Sequence, residues 1–194
     1  DYTAKHVELK ELDKYAQDFA TVYNSAWAQH GEAKEITLDE VKKLFKTMKP
    51  IMDERVIWFA YYKTEPIAMF INIPDVNQYF KHFNGKLNLV NKLRLLWMKK
   101  TGQCKKLTGL AFGVVPKYQA LGIDSYLIQA CGYNMQHKGW YDAYEMGWAG
   151  DWNPIMVNIY KSLGASQNRR MVTYRFVFDE AKNPFERHPI MEYK

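Results

Sequence analysis

Residues 107–127 read Leu-Thr-Gly-Leu-Ala-Phe-Gly-Val-Val-Pro-Lys-Tyr-Gln-Ala-Leu-Gly-Ile-Asp-Ser-Tyr-Leu, and this stretch decides the fold class. Leu107–Val115 is an apolar run ending in two β-branched valines, too short for a buried helix and suited to a central strand. Pro116 ends the pairing, because it has no N–H to donate and biases Val115 toward an extended backbone. The chain then turns through Lys117–Leu121 and enters a helix near Gly122. Ile123, Leu127, Ala130, Cys131 and Met135 recur at helical spacing. A strand, a tight turn and a helix N-terminus in succession leave several amide N–H groups without partners. Together with the helix dipole, about half a positive charge, they make an anion site.

The string Val114-Val115-Pro116-Lys117-Tyr118-Gln119-Ala120-Leu121-Gly122-Ile123 resembles the acyl-CoA loop of the GCN5-related N-acetyltransferase (GNAT) superfamily, V-x-P-x-Y-[QR]-x-x-G-[IV]-[GA]. The resemblance implies that amides from Gln119 through Ala120, Leu121, Gly122, Ile123, Asp124 and Ser125 hold the CoA pyrophosphate. Val114 and Val115 would pair with the pantetheine arm. Asp124 departs from the pattern, standing where the family has Gly or Ala. A carboxylate beside a pyrophosphate is unfavourable, whereas one turned outward in the first helical turn is favoured by the dipole.

At 194 residues, 47% hydrophobic and 25% charged, the chain has a globular composition. A net charge of +6 suits a polyphosphate ligand but is too diffuse to argue for nucleic acid. Cys104 and Cys131 are too few for a disulfide framework, and point to a reducing, cytoplasmic compartment. No apolar run is long enough to span a bilayer, and no signal peptide is visible. Asp1 in place of an initiating Met is what a processed product or the C-terminal part of a longer chain would show.

Working outward, His6–Leu12 is expected as a first strand. Tyr15, Phe19, Val22, Tyr23 and Ala26 mark an amphipathic helix that Gly31 would stop. Thr37-Leu-Asp-Glu40 is a capping box ahead of a helix that ends before Pro50. Val56–Tyr62 and Ile67–Ile73 form a hairpin. In Val76–Lys100, Leu87, Val90, Leu93, Leu96 and Trp97 repeat at helical spacing among lysines. A basic membrane-surface helix and a packed helix with a solvated lysine face both fit; the packed helix is the reading taken, with no membrane and no nucleic-acid partner. Gly139 stops the central helix, and Tyr141–Trp148 is expected as a strand. Asn153-Pro154 starts a helix that Gly164 ends, and Met171–Phe178 is expected as a last strand before a polar surface tail from Glu180.

Asn153-Pro-Ile-Met-Val-Asn-Ile-Tyr160-Lys-Ser-Leu-Gly164 is similar to a second GNAT signature, N-x-x-A-x-x-L-Y-x-x-x-G, with Met156 at its small-residue position. The resemblance implies an α/β (α+β) fold over a single domain, residues 1–194. Its mixed central sheet would have about six to seven strands flanked by helices, with a helical insertion before the central strand. It implies an N-acyltransferase taking acetyl from acetyl-CoA to a primary amine on a small molecule or peptide, with room for a homodimer. Asn153 would touch pantetheine, and Tyr160 would protonate the departing thiolate. Each residue has a plainer role: Tyr160 sits in an apolar stripe, and Asn153 is a good helix cap. Glu145, interrupting an aromatic strand, is the candidate base, with Asp151 and His137 weaker; His137 fits better as the cap of its helix end. No spacing of His, Cys or acids suggests a metal site. The alternative is a non-catalytic CoA-binding module of a larger protein.

Overall fold

The computed structural model describes residues 1–27, 34–174 and 176–178, without the side chain of His137. The expected helix stop at Gly31, the cap by His137 and the tail from Glu180 lie outside these. The chain divides into two units, Asp1–Gly147 and Trp148–Lys194.

The first unit is built on a five-stranded sheet in the order β1-β2-β3-β4-β5. Its strands are β1 (Tyr2–His6), β2 (Ile57–Tyr62), β3 (Glu65–Pro74), β4 (Lys106–Val114) and β5 (Ala143–Glu145). The first four pair antiparallel, and β5 lies parallel to β4. Parallel pairing requires a crossover, and the helix Ile123–Lys138 provides it. Alternation along β2 sends Ile57, Phe59 and Tyr61 into one core and Trp58 and Ala60 into another. The first core is closed by α1 (Leu12–Ala26) and α2 (Leu38–Met48) through Tyr15, Phe19, Val22, Val41 and Phe45. The second is closed by the crossover helix through Ile123, Leu127 and Cys131. Phe59 is fully buried, and its truncation to Ala would cost about 3–5 kcal/mol. The capping box forms as expected: Thr37 accepts from the Glu40 amide, and the Glu40 carboxylate accepts from the Thr37 amide at 2.8 Å. The hairpin forms too, turning at Lys63 with φ 55°.

Three expectations change. The first strand ends at His6, not Leu12. Val7 still donates to Ile57, but the Leu9 amide is taken by the Glu54 carboxylate at 3.0 Å, which turns the chain into α1. The sheet has five strands among the described residues, not six to seven. Residues 171–174 and 176–178 form no strand, and Met171, Val172, Tyr174, Phe176 and Phe178 are exposed; strand propensity needs a packed, paired partner to be realised. The insertion is two helices, α3 (Asn77–Phe80) and α4 (Leu89–Lys100). The expected stripe of α4 is not packed: Leu95 and Met98 are buried, whereas Leu87, Val90, Leu93, Leu96 and Trp97 are exposed.

α4 is tied down by Lys99, whose ammonium donates to the Pro50 and Met52 carbonyls. Beside them Asp53 is buried yet charged. Burial opposes that charge, but the Arg55 guanidinium, at 2.7 and 2.5 Å, and the Tyr141 hydroxyl, at 2.6 Å, outweigh it. They hold its carboxyl below the ordinary aspartate value of 3.8. A depressed carboxyl contributes stability that is present above the unfolded-state value and lost as pH falls through the folded one. The melting temperature is therefore expected to drop as pH falls below about 4. Asp53→Asn should be less stable at neutral pH and lose less on acidification, as a pH series of thermal melts would show.

Candidate functional site

The site candidates in the first unit begin with a strand paired unequally on its two sides. β3 accompanies β4 from Leu107 to Val114, whereas β5 reaches only Lys106, Leu107 and Thr108. Past Thr108, no strand lies on the far edge of β4 among the described residues. A bulge sits at the parting: Asn72 pairs with Gly109 and Ile71 with Ala111, leaving Leu110 as the extra residue. Beyond the bulge the Val115 amide donates to the Ile67 carbonyl at 2.9 Å. By antiparallel alternation, Phe112 and Val114 turn their amides to the open edge. Of the two valines, Val114 is thus the one facing that edge.

The parting is braced by a buried polar chain. Asn72 is fully buried; its amide donates to the Val56 carbonyl at 2.9 Å, and its oxygen accepts from the Tyr144 hydroxyl at 2.8 Å. Tyr144 lies over Gly109, where an added Cβ would stand 2.7 Å from the hydroxyl oxygen and 3.5 Å from Cζ. A glycine inside an apolar strand run is a readable sign of close approach. Asn72 gave no comparable signal.

The turn after β4 is stitched from three directions. Pro116–Tyr118 is a single 3-10 turn, the Tyr118 hydroxyl donates to Glu65 at 2.9 Å, and the Gln119 side chain donates to the Val114 carbonyl at 3.0 Å. Gln119 therefore holds the turn to the strand end, and its own amide donates to Pro116. Ala120 and Gly122 follow with φ of 59° and 74°. Positive φ at a non-glycine residue is uncommon and concentrates at ligand clamps. The crossover helix α5 (Ile123–Lys138) then starts with no side-chain cap. The amides of Ala120 through Ser125 precede or lie in this uncapped first turn, at the dipole's positive end, a place suited to phosphate oxygens. Asp124, the departure from the pattern, stands in the first turn of α5, where the dipole favours an acid.

Glu145 ends β5 and is ion-paired with Lys106, which also reaches Asp75 at 3.6 Å. Cys131 is fully buried, and burial pushes its thiol up to about 12, so it packs and does not attack. In the second unit, α6 (Pro154–Ser162) carries the remaining candidates. Asn153 caps it by accepting from the Met156 amide at 3.0 Å. Burial raises the Tyr160 phenol above its ordinary value. Among the described residues no group of His, Cys, Asp and Glu is arranged to hold a metal ion. A cavity of about 610 Å3 opens among Asp53, Arg55, Tyr79, Lys99, Cys104 and Tyr141. It lies at the Lys106 end of β4, roughly 26 Å along the strand from the turn, and is separate from the amide run.

No family model matches the chain. Over 180 residues it is 25% identical to a protein of Caulobacter vibrioides named bacterial ceramide synthase, covering 91% of this chain and 46% of that one. Protein YghO of Escherichia coli is 23% identical over 89% of this chain and 45% of its own length. The chain thus spans about half the length of these relatives. Among solved structures, the aminoglycoside N-acetyltransferase AAC(6')-Iy, in complex with a CoA bisubstrate analogue, superposes with a TM-score of 0.54 at 13% identity. The match covers 91% of this chain and 99% of that one. Other solved aminoglycoside and ribosomal-protein-alanine N-acetyltransferases match in the same way. The chain has the GNAT fold. The bulged β4 and the turn and helix after it stand where residues 107–127 predict a strand, a turn and a helix.

Gly109→Ala is expected to destabilise the protein, because the methyl meets the Tyr144 hydroxyl at less than contact distance. Tyr144→Phe removes that oxygen, leaving the ring carbon at ordinary contact, but also leaves Asn72 short of a donor, a cost of about 1–3 kcal/mol. The double variant should be more stable than the sum of the two losses predicts. Simple additivity in denaturant melts would show that the close approach carries no energy.

Proposed function

We propose that this chain, residues 1–194 acting as one domain, is an acyl-CoA-dependent N-acyltransferase that acylates a primary amine in a ternary complex. The observation that carries the reading is the run of amides from Ala120 to Ser125 soon after a strand edge that, among the described residues, no strand pairs beyond Thr108. An extended pantetheine arm has amides of its own and can pair with such an edge at Val114, while its pyrophosphate takes the loop amides. The complex of AAC(6')-Iy with a CoA bisubstrate analogue supports CoA as the carrier.

In this reading the neutral amine attacks the thioester carbonyl; the C–N bond forms and the C–S bond breaks. Glu145, whose carboxylate also holds Lys106, accepts the proton that the amine sheds. Tyr160 donates a proton to the departing thiolate. Its phenol is raised by burial, so it is protonated when the thiolate arrives, and an ordinary thiol, near 8.5, is a feasible acceptor in a dry site. Asn153 caps α6 and orients the pantetheine arm.

Acetyl is the acyl group implied by the motif. The Caulobacter relative's name favours a second reading, in which a fatty acyl group goes to a long-chain amino alcohol, since a ceramide is an amide of that kind. Both are tested by thiol release from acetyl-CoA and palmitoyl-CoA against a panel of polar amines, peptides and long-chain amino diols. Release with any amine supports an enzyme. Tight CoA binding without release from any donor supports a non-catalytic module. Tyr160→Phe keeps the ring and is expected to lower single-turnover release by at least about a hundredfold while melting close to the parent. A variant with near-parental turnover would remove Tyr160 from the mechanism.

A further inference from the structure

From Val76 to Ile123 the chain has no acidic residue but eight lysines and Arg94. Of the 27 basic residues, these nine leave 18 elsewhere against all 21 acidic ones. The positive excess of the whole chain therefore resides in this stretch, and α4 is its centre. α4 has two apolar faces. One, with Leu95 and Met98, is buried against Tyr79, Phe83 and Cys104. The other is open: Leu89 is 73% exposed, Val90 71%, Leu93 60% and Trp97 58%. At about 100° per residue these four and Leu96 fall within an arc of roughly 120°. Lys92 and Arg94 flank that arc on opposite sides. A contiguous ridge of large apolar side chains is costly to leave in water. The fold does not turn α4 to bury it, because Lys99 pins the opposite side to the Pro50 and Met52 carbonyls at 3.0 and 2.6 Å.

We propose that α4 seats the protein on an anionic lipid surface, with Leu89, Val90, Leu93, Leu96 and Trp97 entering the headgroup–acyl boundary and the flanking cations meeting lipid phosphates. The occupant is argued from charge complementarity. The ridge has cations on both flanks and the sequence from Val76 to Ile123 holds no acid, which matches an extended negative plane. A protein groove would be expected to present some charge of the opposite sign to its partner. Trp97, amphipathic and at the rim, is the residue type that favours such an interface. α4 has 12 residues, too few to cross a bilayer, so the association through it is peripheral. It is independent of the acyl-transfer reading and needs no turnover to detect.

The test is sedimentation of the 194-residue chain with vesicles of pure phosphatidylcholine, or of phosphatidylcholine with about 30 mol% phosphatidylglycerol. Partitioning is expected to be at least tenfold stronger onto the anionic vesicles at about 0.1 M salt, and to weaken at about 0.5 M. Lys86→Glu/Lys92→Glu should lose roughly fivefold or more for each charge removed. Leu93→Glu/Trp97→Glu should lose more than tenfold with an unchanged melting temperature, because both side chains are exposed. Should that variant fail to fold, quenching of native tryptophan fluorescence by brominated lipid, absent in Trp97→Phe, reads the same insertion. Equal binding to both vesicles, or undiminished binding by Leu93→Glu/Trp97→Glu, overturns the proposal. So does a native dimer that this variant dissociates while vesicle binding is absent, since the ridge would then be covered by a second copy.

Discussion

Among the described residues, β4 is held along its length on one side and for only three residues on the other. Backbone amides seek partners, so an open edge in the middle of a mixed sheet persists only where the neighbouring strand is forced away. Here the force is steric and local. The bulge at Leu110 changes the register on the β3 side, and Tyr144 lies against the bare backbone of Gly109 with its hydroxyl committed to buried Asn72. The two strands part at that contact. An extended ligand backbone could complete the ladder beyond it.

The turn at the end of β4 inherits its geometry from the same strand. Because β4 is fixed to β3 as far as the Val115–Ile67 hydrogen bond, the strand end has a defined position. Tyr118 and Gln119 then tie the turn to Glu65 and Val114. Those bonds settle where α5 begins, and with it the direction of its uncapped amides. The buried stripe Ile123, Leu127 and Cys131 holds α5 against the sheet, which fixes the helix start that the proposal gives to an anion. Ala120 turns the chain there with positive φ despite its Cβ, a small local strain.

Much of this was legible in residues 107–127 alone. Apolar run, proline, glycine and helical spacing are each local signals, and the strand, turn and helix they predict are where the structure has them. The capping box at Thr37 and the Asn153-Pro154 helix start were legible for the same reason: a cap is decided within four residues. What failed depends on partners far away in sequence. Met171–Phe178 has the alternation of a strand, yet alternation cannot say what it pairs with. The α4 stripe has the spacing of a buried face, yet spacing cannot say which of two apolar faces the core accepts. Asn72 was silent because its importance arises from Tyr144 and Val56, neither adjacent to it in the chain. Glu145 stood out as an acid in an aromatic strand; that Lys106, two residues before its register partner Thr108, reaches it follows from the parallel pairing of β5 with β4.

The most direct measurement is a titration of isotope-labelled protein with CoA, followed residue by residue through its backbone amide resonances. If the open edge and the amide run bind the carrier, the largest and saturating shifts will fall on Phe112, Val114 and the residues from Ala120 to Ser125, with little change at the far end of β4 near Lys106. Saturation with the shifts centred on the Asp53–Lys99 cavity, or no shift at millimolar CoA, would contradict a CoA site at the β4–α5 turn.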